Sequence, residues 1–235
     1  MPRVVKEDDY AARCNEILKV ASQLVYTKGY EQMSIQDILD ALKISKGAFY
    51  HYFDSKQALL DGLVDQMLDE ADQFLRPIVE AKDLSALEKM RSYFNTAARW
   101  KTDNKALMLN LIRVWYTDAN ALVRQKQQAA AMKRIAPMLT EIIRQGIAEG
   151  AFTMKYPDEF GGMLLGLSRG VQDTLVELVL AEESAPDALQ RLESIMGAYS
   201  ESMERILGAP PGSLPIGDAE MLKAWLPPPS STPKP

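Results

Sequence analysis

The fold is decided by residues 34–56, which read SIQDILDALKISKGAFYHYFDSK. Ser34 can cap a helix together with Asp37 three residues later, and apolar residues follow at the spacing of one helix face. Lys43 interrupts that spacing, and Ser45 can cap a second short helix. The stretch therefore predicts two short helices joined by a tight turn, followed by the start of a third helix.

The second of these helices turns few apolar side chains inward. Phe49 and Phe53 lie on one face, whereas Lys46, Tyr50 and His51 lie on other faces. A helix-turn-helix needs this layout, because its first helix braces across the DNA backbone and its second places residues along base edges in the major groove. The outward side chains suit phosphates and bases, so the stretch predicts a DNA-reading unit.

The segment ALKISKGAFYHYFDSKQALL, residues 41–60, is similar to the signature of the TetR family of one-component transcriptional regulators. The likeness extends over roughly residues 10 to 62, and beyond them only length and helical pattern agree. One departure is Lys43, where the family often has a glycine, since a lysine adopts a left-handed turn conformation only at some cost. The resemblance implies a transcriptional repressor that binds operator DNA as a dimer and is released by a small-molecule effector.

Eight residues of this region are candidate DNA contacts: Ser34, Ser45, Lys46, Gly47, Ala48, Tyr50, His51 and Lys56. Ser34 can simply cap its helix, although capped backbone amides can also hold a phosphate. Gly47 costs a helix about 1 kcal/mol relative to alanine, and a close approach of backbone to DNA would explain it. His51 is the only histidine, so a phosphate contact is a simpler assignment than a metal or catalytic triad. By resemblance, Lys56 meets the DNA backbone.

Composition is compatible with this reading. The 235 residues carry a net charge of −5, but residues 1–56 hold eight basic and eight acidic residues, so the acidic excess lies outside the reading unit. Cys14 is the only cysteine and cannot form an internal disulfide, and the chain shows neither a signal-peptide pattern nor 18 consecutive apolar residues. We expect a soluble, cytoplasmic protein with no membrane partner.

Catalytic chemistry is not expected. The chain has one histidine and one cysteine, and it shows neither a Gly-rich phosphate loop nor metal-ligand spacing. These residues do not make up a set of catalytic groups, so we predict no enzymatic activity, no cofactor and no metal. A helical carrier or adaptor that does not bind DNA remains the alternative, although it would not need the outward Lys46, Tyr50, His51 and Lys56. Activation of transcription instead of repression also stays open, because promoter position decides it.

Apolar periodicity predicts an all-α protein of about nine helices, with Gly29 ending the first and Pro137 breaking or bending a later one. We divide it into a helix-turn-helix DNA-binding domain (1–53), a helical effector-binding and dimerisation domain (54–207) and a Pro-rich tail (208–235). The helices of the second domain are expected at about 54–76, 84–101, 104–116, 119–149, 158–182 and 187–207. Eight of the thirteen prolines lie in the tail, which should be extended or disordered unless Met221, Leu222 and Trp225 dock.

Glycines recur every four residues in the penultimate long helix, which leaves a groove that another helix backbone can enter. Close packing inside one subunit would explain this equally well. In the TetR family the last two helices pair with their mates in a four-helix bundle, so the resemblance favours a homodimer. The candidate interface residues are Gly162, Gly166, Gly170, Leu192, Ile195 and Tyr199. A two-fold dimer implies a palindromic site, with recognition helices roughly 34–36 Å apart.

The middle helices are rich in Met and aromatic residues, which usually form core but also line apolar pockets. Candidate effector contacts are Tyr93, Phe94, Met108, Asn110, Ile112, Arg113, Trp115, Tyr116, Met138 and Ile142. The unknown effector is expected to be apolar or aromatic. A buried Arg113 would want a carboxylate and so an acidic effector, but the side chain could equally point outward.

Overall fold

The computed structural model describes residues 2–103, 105–181, 185–216 and 219–226, and these residues form helices and connecting turns without strands. The all-α prediction is confirmed. The helices are α1 (Pro2–Lys28), α2 (Ile35–Leu42), α3 (Lys46–Tyr50), α4 (Lys56–Glu80), α5 (Ala86–Asp103), α6 (Lys105–Trp115), α7 (Ala121–Arg134), α8 (Ala136–Ala148), α9 (Pro157–Val179), α10 (Ala188–Leu207) and α11 (Ala219–Trp225). A 3₁₀ turn, Asp118–Asn120, precedes α7. A membrane-spanning helix was not found among the described residues.

The chain forms two compact units. The head unit comprises Met1–Ala71 and Leu111–Ala131, and the body unit comprises Asp72–Asn110 and Met132–Pro235. The boundary falls inside α4, and the end of α6 with most of α7 packs with the head. This grouping differs from a division at residue 53, because contacts between helices distant in the chain decide it.

The core of the head unit lies where α1 meets the two short helices. Ile17, Ala21 and Val25 of α1 and Ile38 of α2 are fully buried. Gly29 ends α1 as expected: its φ is 84°, and its N–H donates to the Val25 carbonyl at 3.1 Å. Glycine adopts this positive φ without strain. It also avoids a clash, since an added Cβ would lie 2.6 Å from the Ala119 Cβ.

The expected helix at 119–149 is divided. The 3₁₀ turn and α7 are followed by a break at Ile135, after which α8 begins with Pro137 in its first turn. The predicted break at Pro137 is therefore confirmed, because a proline fits the first turn of a helix but not its interior. The expected end of the 54–76 helix was wrong: α4 continues through Pro77 to Glu80, and Val79 is buried in the body unit.

In the body unit, α8 is the central helix and packs against α5 and, most extensively, α9. Met138, Leu139, Ile142 and Ile143 are all buried on α8. α9 approaches it closely at Gly161, where an added Cβ would lie 2.2 Å from the Ala136 carbonyl oxygen.

The tail is more ordered than its prolines suggested. Glu204 is buried, and its carboxylate accepts hydrogen bonds from the N–H groups of Gly212 and Leu214, both at 2.8 Å. Leu214 is itself buried, and the Trp225 indole N–H of α11 donates to Thr102 Oγ1 at 2.9 Å. The expectation of an extended or disordered tail is corrected for residues 208–216, which paired backbone groups and the buried Leu214 and Ile216 hold in place. For 219–226 the docking alternative is the one observed, through Trp225, and 217–218 and 227–235 lie outside the described residues.

Candidate nucleic-acid interface

A complete capping box begins α2. Ser34 Oγ accepts the Asp37 backbone N–H at 3.2 Å, while Asp37 Oδ2 accepts from both the N–H and the hydroxyl of Ser34 at 2.7 Å. Lys28 of α1 reaches the same carboxylate oxygen at 2.7 Å. The hydrogen bond from Lys28 first, and those from Ser34 next, hold the pKa of Asp37 well below its usual range. The box thus orients α2 and also ties it to the end of α1.

The turn between α2 and α3 is left-handed at Lys43, with φ 54° and ψ 41°. Lys43 is the only described non-glycine residue with positive φ. The backbone N–H groups of Lys43 and Ile44 both donate to the Leu39 carbonyl. The turn therefore takes the shape that glycine would adopt freely, at a steric cost to the lysine.

Helix α3 is anchored from within by aromatic rings. Ser45 caps it through a 3.1 Å hydrogen bond from the Ala48 N–H. Phe49 is fully buried and Phe53 is 8% exposed, with ring centroids 6.0 Å apart. The predicted inward anchors are confirmed, so the remaining faces of this five-residue helix are left for solvent or a partner.

The outward face of α3 is polar and open. Lys46, Tyr50 and His51 are exposed, and the Lys46 ammonium lies 5.9 Å from the centre of the Tyr50 ring. Gly47 is exposed too, and an added Cβ there would meet nothing closer than Ser45 Oγ at 4.0 Å. Packing within the chain therefore does not require glycine at position 47.

His51 belongs to an aromatic cluster at the end of α3. Its ring lies edge-on to Tyr10 at 5.8 Å and to Tyr52 at 5.0 Å. Across the described residues, no three His, Cys, Asp or Glu side chains are grouped so that they could hold a metal ion. The surroundings of His51 are thus aromatic, and it stays exposed beside Tyr50.

Lys56, at the first residue of α4, reaches back over the turn that follows α1. Its ammonium donates to the Glu31 carbonyl at 3.2 Å and lies 4.4 Å above the Tyr30 ring. The Tyr30 hydroxyl in turn donates to the Lys56 carbonyl at 3.2 Å. Partial burial lowers the pKa of Lys56. Sequence reasoning missed this arrangement, because no local pattern links Tyr30 to a lysine 26 residues away.

The ten candidate effector residues are divided between the two units. Tyr93, Phe94, Met108, Asn110, Met138 and Ile142 belong to the body, whereas Ile112, Arg113, Trp115 and Tyr116 belong to the head. Arg113 and Asn110 are exposed. Arg113 therefore points outward, and the argument for an acidic effector, which required a buried arginine, no longer holds.

A shallow groove of about 180 Å³ lies on α5 and is lined by Arg91, Ser92, Asn95, Thr96 and Arg99. None of these five residues is among the candidate effector contacts.

A cluster of Tyr93, Phe94 and Tyr199 joins α5 to α10 in the body unit, and a hydroxyl contact extends it to α9. The Phe94 ring lies edge-on to Tyr93 at 5.0 Å and to Tyr199 at 5.9 Å. The hydroxyl groups of Tyr199 and Ser168 are 2.6 Å apart. Burial raises the pKa of Tyr199 to about 12 and raises that of Tyr93 as well. Both phenols stay neutral at physiological pH.

The candidate interface residues differ in accessibility. An added Cβ would meet nothing within 4 Å at Gly166 or Gly170, whereas at Gly162 it would lie 3.1 Å from the Met132 methyl group. Leu192 and Tyr199 are buried in the interior of the chain itself. They therefore cannot offer an open surface, while the face of α9 at Gly166 and Gly170 can.

Comparison with known proteins matches both parts of the chain. Residues 17–63 match the family model described as bacterial regulatory proteins, tetR family, and residues 106–178 match the tetracyclin repressor-like C-terminal domain. An uncharacterized HTH-type transcriptional regulator of Lactococcus lactis subsp. lactis is 37% identical over 76 residues, which cover 32% of this chain and 39% of that protein. The HTH-type transcriptional repressor KstR2 of Rhodococcus jostii is 24% identical over 152 residues, covering 60% of this chain and 69% of the repressor.

Solved structures show the same fold. A TetR-family transcriptional regulator from Pectobacterium atrosepticum superposes with a TM-score of 0.58 at 22% identity, covering 88% of this chain and 98% of that one. The reduced form of E. coli NemR superposes with a TM-score of 0.57 at 16% identity, covering 84% and 98%.

Proposed function

Because this chain belongs to the TetR family of bacterial regulatory proteins and is a DNA-binding transcriptional regulator, we propose that it is a repressor: it binds a palindromic operator as a homodimer and is released by a small-molecule effector. We place its action in the cytoplasm, where its operator would lie, and we assign it no enzymatic reaction.

The outward face of α3 is the observation that carries the DNA-binding assignment. Phe49 and Phe53 hold the helix to the head from one side, and Lys46, Gly47 and Tyr50 are exposed on the other. Gly47 lacks any neighbour that would exclude a side chain, so a close approach of DNA accounts for it better than internal packing does. We assign Lys46 and Tyr50 to the major groove or its flanking phosphates, and Lys56 to a backbone phosphate.

The open face of α9 supports the homodimer. Gly166 and Gly170 let a second helix approach to backbone distance, because no described atom of the same subunit lies within 4 Å of a Cβ added at either position. A two-fold dimer would bring two copies of α3 to one DNA duplex. Half-sites would then lie roughly one turn, 34–36 Å, apart.

Release follows from a shift between two conformations that differ in their affinity for operator and effector. α4 is one continuous helix whose first part belongs to the head unit and whose last part belongs to the body unit. An apolar or aromatic effector that displaces the body end of α4 would thus reorient its head end. By linkage, operator DNA must weaken effector binding by the same factor.

The test is selection of a binding site from a random DNA pool, followed by mobility shift across a salt series. We expect saturable binding to an inverted repeat, with an affinity that falls steeply as salt rises. Lys46→Ala and Tyr50→Ala should each weaken it, whereas Lys19→Ala, which changes an exposed lysine of α1, should have little effect. Failure of the wild type to enrich any sequence, or equal binding by all variants, would overturn the proposal and favour a carrier or adaptor.

A further inference from the structure

We propose that Asn120 is a positioning residue for DNA binding: it fastens the turn after α1 to the end of α6 and, through Tyr30, sets the position of the Lys56 ammonium group. The proposal rests on the proposed function, because it takes Lys56 to contact DNA.

Asn120 is fully buried and holds three backbone groups at once. Its Oδ1 accepts the Tyr30 N–H at 2.7 Å, and its Nδ2 donates to the carbonyls of Val25 at 3.2 Å and Val114 at 3.1 Å. Val25 and Tyr30 flank the end of α1, whereas Val114 lies in the last turn of α6. One side chain therefore joins segments that lie about 90 residues apart in sequence, and removing it would strand buried polar groups.

The backbone around Asn120 strengthens the same connection. The Glu31 N–H donates to the Ala119 carbonyl at 3.0 Å. Gly29 and Ala119 are in such close contact that no side chain fits at position 29. Residues 29–31 are therefore held against residues 119 and 120 by hydrogen bonds and close packing.

That turn is also the support of Lys56. Its ammonium is bound to the Glu31 carbonyl and lies over the Tyr30 ring, while the Tyr30 hydroxyl is bound to the Lys56 carbonyl. A lysine on open surface loses much rotamer freedom when it binds a phosphate, whereas one already held loses less. Asn120 therefore acts on DNA affinity at a distance, by keeping the support of Lys56 in place.

A double-mutant cycle on the selected operator DNA tests this role. We expect Asn120→Ala and Lys56→Ala each to weaken binding by about tenfold, and the double variant to be only a few-fold weaker than Lys56→Ala, since both remove the same contact. Both single variants should lower the slope of log affinity against log salt by about one. Asn120→Ala combined with Lys46→Ala is the matched control, and its effects should multiply.

Tyr30→Phe guards against a variant that fails to fold. It removes only the hydroxyl bound to the Lys56 carbonyl and leaves the ring under the ammonium group. If circular dichroism shows Asn120→Ala to be unfolded, the cycle is run with Tyr30→Phe, whose smaller effect should also disappear in the Lys56→Ala background. An effect that persists there would overturn the route from Asn120 through Tyr30 to Lys56.

Each outcome has one meaning. Effects of Asn120→Ala and Lys56→Ala that multiply, or an unchanged salt slope in a folded Asn120→Ala variant, would overturn the positioning role while leaving the regulator intact. A wild type that selects no DNA would overturn the proposed function itself, and this role with it.

Discussion

Lys43 shows how a single residue can depart from what its turn prefers. The left-handed conformation costs a residue with a Cβ about 1–2 kcal/mol, and the α2–α3 turn adopts it at this lysine. Two features hold the turn in this shape. The N–H groups of Lys43 and Ile44 both donate to the Leu39 carbonyl, and Phe49, which follows the turn, is buried.

Replacing Lys43 by glycine should stabilise the protein. Relief of the left-handed strain exceeds the larger backbone entropy that glycine loses on folding, so the free energy of unfolding should rise by about 0.5–1 kcal/mol. Urea unfolding followed by circular dichroism measures this difference. Lys43→Ala keeps a Cβ and should stay near the wild-type value; a glycine variant no more stable than alanine would show that the turn is unstrained.

Asp37 should give the protein a dependence on pH in the acid range. Its pKa is lowered in the folded state, so its contribution to stability is fully present above its unfolded pKa of about 4 and is lost progressively as pH falls from that value through the lowered folded pKa. Asp37→Asn should therefore lower the urea midpoint at pH 6 and have a clearly smaller effect near pH 2. Equal losses at the two pH values would contradict this assignment.

At the scale of elements, the α8–α9 pair depends on the absence of one side chain. The Cβ of an alanine at position 161 would lie 2.2 Å from the Ala136 carbonyl oxygen and 2.5 Å from Thr140 Oγ1. The carbonyl belongs to the first turn of α8 and cannot move without shifting the helix.

Gly161→Ala should consequently destabilise the protein by about 1–3 kcal/mol, as overpacked sites do. Gly197→Ala in α10 is the matched control: nothing lies within 4 Å of its Cβ, and alanine favours helix by up to about 1 kcal/mol. Thermal unfolding measures the stability of both variants relative to the wild type. An unchanged melting temperature for Gly161→Ala would mean that the helices separate easily and that the close approach contributes little.

At the scale of the whole molecule, the open α9 face makes a prediction about assembly. Leucines at Gly166 and Gly170 would fill the space through which a second helix backbone is proposed to pass. The double variant should be monomeric in sedimentation velocity and should lose operator binding, because one recognition helix alone contacts only a half-site. Ala148→Leu, which places a leucine at an exposed position of α8, should leave assembly unchanged. A wild type that is monomeric at micromolar concentration would contradict the proposed dimer.

Sequence alone determined those features that depend on neighbours a few residues apart. The capping box of Ser34 and Asp37, the glycine end of α1, the inward Phe49 and Phe53 and the break before α8 all follow from helix geometry, which repeats within one or two turns. The family resemblance also rests on such a contiguous segment. These features specify an all-α chain with a helix-turn-helix, and the structure and the comparisons confirm both.

Contacts between segments far apart in the chain depend on how the helices pack and could not be read from the sequence. Asn120 joins the ends of α1 and α6, Glu204 holds the turn of a Pro-rich tail, and the candidate effector residues divide between two units. An asparagine or glutamate in a helical sequence carries no sign that it will be buried, since that depends on which backbone groups are left unpaired when helices pack. Local pattern therefore predicts where helices begin and end, while packing decides which polar residue becomes the connection between them.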